Sequence, residues 1–246
     1  GIRAAQESRG LGDVYKRQAS DFGDLTTARA GMSMSCNSTT RGIFNGGYAP
    51  SPLTARLNTM EYITFSTTGN VTDFGDLTDD SQSSSGGTAS SSTRGLIGLG
   101  FVSPARVNTI DFINMHTLGN ALSFGDSLFG AKGRGGCSSN TRGLWAGGYG
   151  NTGSGYLTNN IDYITLASEG NAIDFGDINT STSNKYAHAS STRGVWPGGA
   201  SATNVIDYVE IATLGNAVDF GDTDVVGMTN GIIRPTGTSS NGHGGL

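Results

Sequence analysis

The chain has 246 residues, a formal net charge of −5, and only 14% charged and 35% hydrophobic side chains. This acidic balance argues against nucleic-acid binding, because a phosphate-binding surface needs clustered lysine and arginine. No apolar run reaches the ~18 residues that a transmembrane helix requires, so the sequence also predicts no membrane insertion.

Residues 1–18 lie outside the pattern of the remaining chain. They hold four of the 15 basic side chains and lack the apolar run of a secretory signal. The string at 10–18 resembles translated adapter sequence. We therefore expect 1–18 to be a non-native leader without ordered structure, and 19–246 to form the folded domain.

Four copies of one module of about fifty residues follow, near 27–76, 77–126, 127–177 and 178–222. Each copy contains a Thr-Arg-Gly motif, continues through a segment centred on tyrosine or phenylalanine, and closes on Gly-Asn and then Phe-Gly-Asp. Glycine interrupts nearly every candidate helix, whereas β-branched and aromatic residues recur in register. The sequence therefore predicts an all-β fold, and a period of this length is typical of propeller blades.

The third copy shows how one module becomes a four-stranded sheet. A strand of small residues is expected near 131–140, and an apolar strand that ends in a glycine pair over 142–149. The β-branched and aromatic segment 160–166 predicts the third strand. We expect Glu169-Gly170-Asn171 to form a tight hairpin turn, with the outer strand at 172–177.

This order of elements resembles the Kelch family and the galactose-oxidase-type propellers. The resemblance rests on a strand ending in Gly-Gly, a variable loop and an aromatic strand, although the Kelch tryptophan after the tyrosine is absent. The Gly-Asn-x-x-x-Phe-Gly-Asp signature is similar to repeats of predicted virion proteins in marine bacteriophages. The resemblance implies a β-propeller with four full blades, and fragments of a fifth at 21–24 and 239–246.

Charged residues recur at fixed positions of the repeat. They are the arginines Arg41, Arg94, Arg142 and Arg193, the aspartates Asp76, Asp126, Asp177 and Asp222, and a third set of Glu61, Asp111, Asp162 and Asp207. An active site is normally one asymmetric cluster, whereas groups present in every repeat suggest bonds that tie sheets together. We therefore predict a structural role for these residues.

The cysteines and histidines indicate little chemistry. Cys36 and Cys137 hold the same repeat position, which predicts free, buried thiols, since the second copy separates them beyond the reach of a disulfide. His188 shares that position in the fourth copy, so a metal site of these three residues remains an alternative. No catalytic motif is present, and we expect a non-enzymatic protein without a cofactor.

Function is expected in the loops after each glycine pair, because these loops vary and would cluster on one face. The candidate binding residues are Tyr48, Arg56, Phe101, Arg106, Tyr149 and Tyr156. The alternative is that these aromatic side chains only cover the blade ends. The sequence favours a structural or adhesion module with other protein subunits or surface glycans as partners, and the resemblance to phage repeats implies a phage virion or tail as its setting. A carbohydrate-binding lectin and a fragment of a galactose-oxidase-like enzyme are the alternatives.

Overall fold

The computed structural model describes residues 19–32, 36–81, 87–98, 100–102, 104–150, 157–200 and 203–223. These residues form strands and loops without a helix, so the all-β prediction is confirmed. The expectations for the leader 1–18, for the segment 239–246 and for Tyr156 fall outside the described residues.

Each repeat contributes one antiparallel sheet. The first comprises β1 (Cys36–Asn37), β2 (Arg41–Asn45), β3 (Tyr48–Ala49), β4 (Ala55–Thr64) and β5 (Thr72–Ser81). The second repeat contains β6 (Thr88–Ser90), β7 (Arg94–Gly98), β8 (Phe101–Val102), β9 (Ala105–Arg106), β10 (Thr109–Asn114) and β11 (Leu122–Asp126). The third contains β12 (Ala131–Lys132), β13 (Gly135–Ser138), β14 (Arg142–Ala146), β15 (Tyr149–Gly150), β16 (Asn160–Thr165) and β17 (Ile173–Asp177). The fourth contains β18 (His188–Ala189), β19 (Arg193–Pro197), β20 (Val205–Glu210) and β21 (Val218–Asp222).

The four main strands of every sheet pair in chain order, as β1-β2-β4-β5, β6-β7-β10-β11, β13-β14-β16-β17 and β18-β19-β20-β21. Short ribbons extend the loops that follow the second strands: β3 pairs with the start of β4, β8 with β9, and β12 with β15. The small-residue strand expected over 131–140 is therefore divided, because β12 joins a ribbon and only β13 joins the sheet.

A β-bulge recurs where the third and fourth strands pair. It lies at Met60/Glu61, Ile110/Asp111, Ile161/Asp162 and Ile206/Asp207. Such an extra residue re-aims the neighbouring side chain. The acidic residue at each bulge is buried, with an exposure of 3% at Glu61 and 0% at the three aspartates.

Neighbouring sheets pack face to face through three apolar clusters. Each joins residues of two consecutive repeats: Ile43, Met60 and Phe74 with Ile97, Ile113 and Met115; Leu96, Ile110 and Phe124 with Trp145, Ile164 and Leu166; and Leu144, Ile161 and Phe175 with Trp196, Val209 and Ile211. Among the described residues, no such cluster joins the fourth sheet to the first. The core is thus a series of interfaces between sheets.

The first strands of neighbouring sheets lie in contact, which explains their small residues. The Ser138 hydroxyl donates to the Ser90 carbonyl oxygen at 2.8 Å. A Cβ on Gly136 would approach the backbone of Thr88 to 2.6 Å, which is closer than side chains tolerate. Larger residues in β13 would therefore separate the second and third sheets.

The predicted hairpin turn at Glu169-Gly170-Asn171 is wrong. The chain reverses earlier, through Leu166–Ser168, where the Ser168 N–H donates to the Thr165 carbonyl oxygen at 3.3 Å. Gly170 and Asn171 instead extend along the last strand of the preceding sheet. The dipeptide therefore joins two repeats, although the sequence pattern suggested a local turn.

Candidate functional site

The Gly-Asn dipeptide makes three hydrogen bonds to the Phe-Gly-Asp triplet of the preceding repeat, a contact that we call the Gly-Asn latch. Gly170 N–H donates to the Phe124 carbonyl oxygen (3.0 Å), and Ala172 N–H to that of Asp126 (2.7 Å). In return, the Asp126 N–H donates to Asn171 Oδ1 (3.0 Å). Gly125, with φ of 150°, permits this approach, since a Cβ there would overlap the Gly170 carbonyl.

The latch has the same three bonds at four places. Its pairs are Gly69–Val71 on Phe22–Asp24, Gly119–Ala121 on Phe74–Asp76, Gly170–Ala172 on Phe124–Asp126, and Gly215–Ala217 on Phe175–Asp177. Asp76, Asp126 and Asp177 thus act through their backbone, and their carboxylates form none of the ion pairs seen among the described residues. Asp222 has no latch partner in that part of the chain.

The repeated arginines bridge neighbouring sheets by a second contact. Arg41 donates to the Met115 carbonyl oxygen (3.3 Å), Arg94 to that of Leu166 (3.1 Å), and Arg142 to that of Ile211 (2.8 Å). Each guanidinium also lies 4.7 to 5.3 Å from the aromatic ring of its own sheet. Arg193 differs, because it pairs at 2.6 Å with exposed Glu210 of the same sheet.

Three of the buried acids at the bulges hold a buried cation. Glu61 pairs with Arg29 at 2.8 Å, Asp162 with Arg134, and Asp207 with Lys185 at 2.8 Å. The sequence patterns did not identify these cations. A signal was present in the third and fourth repeats, where Arg134 and Lys185 each stand three residues before the Cys137 or His188 position.

Burial shifts the pKa values of two groups: Asp111, which is the fourth acid at a bulge, and Lys185. Asp111 accepts bonds from the Thr78 N–H (2.9 Å) and hydroxyl (2.7 Å) but forms no ion pair among the described residues. Desolvation raises its pKa above 3.8, although the bonds from Thr78 oppose the shift. Desolvation also lowers the pKa of Lys185, against the effect of Asp207. All four acids are buried inside the protein, which places them away from a surface binding site.

Both cysteines are free and buried. Burial raises the pKa of Cys36 to about 12 and that of Cys137 further still, so neither is a reactive thiolate at neutral pH. The structure does not bring Cys36, Cys137 and His188 together, and no group of three metal-ligating side chains occurs in the described part of the chain.

Five of the six predicted binding-loop residues lie on adjoining ribbons. Each ribbon places an aromatic residue directly across from a cation: Tyr48 across from Arg56, Phe101 across from Arg106, and Tyr149 across from Lys132. We call these six side chains the cation–aromatic row. The sequence patterns missed Lys132, which stands before the third repeat's Arg-Gly-Gly-Cys segment and outside the variable loops.

The ribbons interleave, so that cations of one ribbon lie near rings of the next. The Arg56 guanidinium is 5.0 Å from the Phe101 ring centre, and Arg106 is 4.5 Å from that of Tyr149. Lys132 Nζ lies 5.4 Å from Phe101 and 5.8 Å from Tyr149. The row thus needs three repeats to be stacked in order.

The row is positively charged within an acidic protein. Arg56 and Lys132 form none of the ion pairs seen among the described residues, and Arg56 Nε is buried without a hydrogen-bond partner among those residues. The loops at 46–58, 98–107 and 147–158 contain no aspartate or glutamate. In the first sheet, Asp79 and Asp80 lie in β5 just before Ser81, which pairs with Leu57 next to Arg56. The arrangement is suited to an anionic group.

Comparisons with known proteins leave the family open. No protein-family model matches the chain, and no curated protein matches it. Among the described residues, no helix is long and apolar enough to cross a membrane.

Proposed function

We propose that the protein is a non-enzymatic adhesion module that binds acidic surface glycans along the cation–aromatic row. The observation that carries this proposal is the convergence of Arg56, Arg106 and Lys132 with two aromatic rings from neighbouring ribbons. Cations that already lie against aromatic rings lose less side-chain freedom when a ligand binds. Carboxylate or sulfate groups of a glycan would accept their N–H bonds.

The distances favour ionic binding over stacking of neutral sugars. The Phe101 ring has both Arg56 and Lys132 within 5.4 Å, and the Tyr149 ring has Arg106 at 4.5 Å. Ring surface already in contact with a cation is not open to a sugar face. A charged glycan can instead engage the outer N–H groups of these same cations.

The test is binding to immobilised uronate-containing, sulfated and neutral glycans at several salt concentrations. We expect acidic glycans to be retained, neutral ones not, and retention to weaken as salt rises. Lys132→Ala and Arg106→Ala should each weaken binding about tenfold, which corresponds to ~1.4 kcal/mol. Arg193→Ala is the matched control, since Arg193 is exposed at the opposite end of its second strand. Equal retention of neutral glycans, or an equal loss in Arg193→Ala, would contradict the proposal.

We further propose that the four sheets are blades of a β-propeller of the Kelch type. Two features support it: the first strands of neighbouring sheets meet at one edge, and the latches lie at the fourth strands. Small-angle X-ray scattering should then give the profile of four sheets arranged in an arc around a common axis. A profile of a straight stack would count against the propeller.

The similarity of the Gly-Asn-x-x-x-Phe-Gly-Asp signature to repeats of phage virion proteins supports a virion or tail as the setting. The proposal predicts that the gene lies among capsid or tail genes. A position within a metabolic operon would oppose it.

A further inference from the structure

Phe101 of the second ribbon lies among all three cations of the cation–aromatic row. Arg56 of the first ribbon is 5.0 Å from the centre of its ring, and Lys132 of the third ribbon is 5.4 Å from it. Arg106 is paired directly across from Phe101 within the second ribbon. One aromatic ring therefore gathers a cation from each of three consecutive repeats.

Tyr149 of the third ribbon links two of these cations a second time. Arg106 lies 4.5 Å from the centre of its ring, and Lys132 lies 5.8 Å from it. Cations that share a ring are close to each other, so Arg56 and Lys132 are at most about 10 Å apart, as are Lys132 and Arg106. This is roughly the distance over which 0.1 M salt screens exposed charges, so these positive charges repel one another in the free protein.

The side chains of the row combine packing with access to the surface. All six are half-buried, and they lie on ribbons whose backbones are paired. The distances between the cations are therefore constrained before a ligand binds, which lowers the entropy cost of engaging several of them together.

We propose that the row binds a polyanionic glycan segment, in which neighbouring sugars of one chain each carry an acidic group, and that all three cations engage it together. This inference rests on the proposed function and narrows it, since an isolated acidic sugar carries one charge. A segment with several charges relieves the mutual repulsion of Arg56, Arg106 and Lys132 at once. Phe101 is then a positioning residue, because it sets the distances between the cations without itself binding an anion.

Calorimetric titration with galacturonic acid and its linear oligomers counts the charges that are engaged. We expect the trisaccharide to bind at least about tenfold more tightly than the monosaccharide. A plot of log affinity against log salt concentration should have a slope of about −2 to −3 for the trisaccharide and about −1 for the monosaccharide, because each ion contact contributes slightly less than one. The methyl-esterified trisaccharide is the control of matched length, and it should not bind.

Substitutions in the row test whether the cations act together. Lys132→Ala should make the slope for the trisaccharide shallower by about one, whereas Arg193→Ala should leave it unchanged. Phe101→Leu fills the space without a ring, so it should weaken trisaccharide binding about tenfold and make its slope shallower. Phe101→Tyr, which restores a ring, should recover both values. Circular dichroism and thermal unfolding check that each variant is folded.

A variant that strengthens binding guards against loss through misfolding. Asp79 and Asp80 are exposed and precede Ser81, which pairs with Leu57 beside Arg56. A polyanion that reaches Arg56 approaches these carboxylates, so Asp80→Asn should tighten trisaccharide binding by about twofold at low salt.

The length series separates this inference from the proposed function. A trisaccharide that binds no more tightly than galacturonic acid, or that has a salt slope near −1, would overturn the inference and leave the proposed function standing, since acidic sugars would still bind. If no acidic saccharide of any length binds, both are overturned.

Discussion

Each sheet buries one acidic side chain at the bulge between its third and fourth strands, and the four differ in what lies against the charge. Glu61, Asp162 and Asp207 have buried cations, whereas the partner that the described residues give Asp111 is Thr78, through two hydrogen bonds. A buried charge is costly unless paired. Equivalent positions in the repeat should therefore respond differently to the same substitution.

Asp207→Asn should lower the free energy of unfolding by about 3–5 kcal/mol at pH 7, because Lys185 would keep a buried charge without a partner. Asp111→Asn should leave stability unchanged or raise it, since it removes a charge that no cation of the described residues balances. Urea unfolding of both variants measures the difference. An equal loss in the two variants would contradict the distinction between paired and unpaired acids.

The pH dependence of stability should report Asp111. Its folded-state pKa is raised, so at pH values above 3.8 the folded chain binds more protons there than the unfolded chain does. Taken by itself, the ionisation of Asp111 lowers the free energy of unfolding as pH rises through the raised pKa. As pH falls, the free energy of unfolding of the wild type should therefore increase relative to that of Asp111→Asn. A difference that is constant with pH would refute the assignment.

At the scale of elements, the latch is the device that joins one repeat to the next. It depends on glycine in the Phe-Gly-Asp triplet, because a side chain would occupy the position of the neighbouring Gly carbonyl. The fourth repeat provides an internal control. Gly221 has φ of 140°, close to the 150° of Gly125, but a Cβ there would meet no described residue within 4 Å.

Gly125→Ala should destabilise the protein by roughly 2–3 kcal/mol more than Gly221→Ala. Both substitutions introduce similar backbone strain, so their difference isolates the contact with Gly170. Thermal and urea unfolding of dilute samples would measure it. Equal effects would mean that the latch contributes nothing to stability.

Arg142→Ala should lower stability by about 1–2 kcal/mol, because it removes the bond to the Ile211 carbonyl and the packing on Tyr163. Arg193→Ala is the control, since Arg193 is exposed and bonds no neighbouring sheet among the described residues. The same unfolding measurement compares the two. Unchanged stability in Arg142→Ala would count against the structural role of the repeated arginines.

At the scale of the molecule, much of the fold could be predicted because the repeat period, the turns and the alternation of apolar residues are local properties of the sequence. The all-β class and the free, buried Cys36 and Cys137 follow from these patterns. The role of Gly170-Asn171 could not be predicted, since a glycine followed by asparagine suits both a turn and a close approach of two chains. Only the neighbouring sheet decides between them.

The candidate site was predictable in part for the same reason. Tyr48, Arg56, Phe101, Arg106 and Tyr149 lie in variable loops after the glycine pairs, so their clustering follows from the stacking of the repeats. Lys132 was missed because its segment precedes the first strand and reaches the row only through pairing with Tyr149. Arg134 and Lys185 were missed because they share a position in only two of the four repeats, and Arg29 was missed because it stands seven residues before Cys36 instead of three.

Amide hydrogen exchange followed by NMR in dilute solution tests the interlocking of the repeats most directly. We expect slow exchange at the latch amides of Asp76, Asp126 and Asp177, which donate to asparagine side chains of the following repeat. The Asp222 amide should exchange faster than these three. Uniformly fast exchange at all four positions, or protection of Asp222 equal to that of the others, would contradict the account.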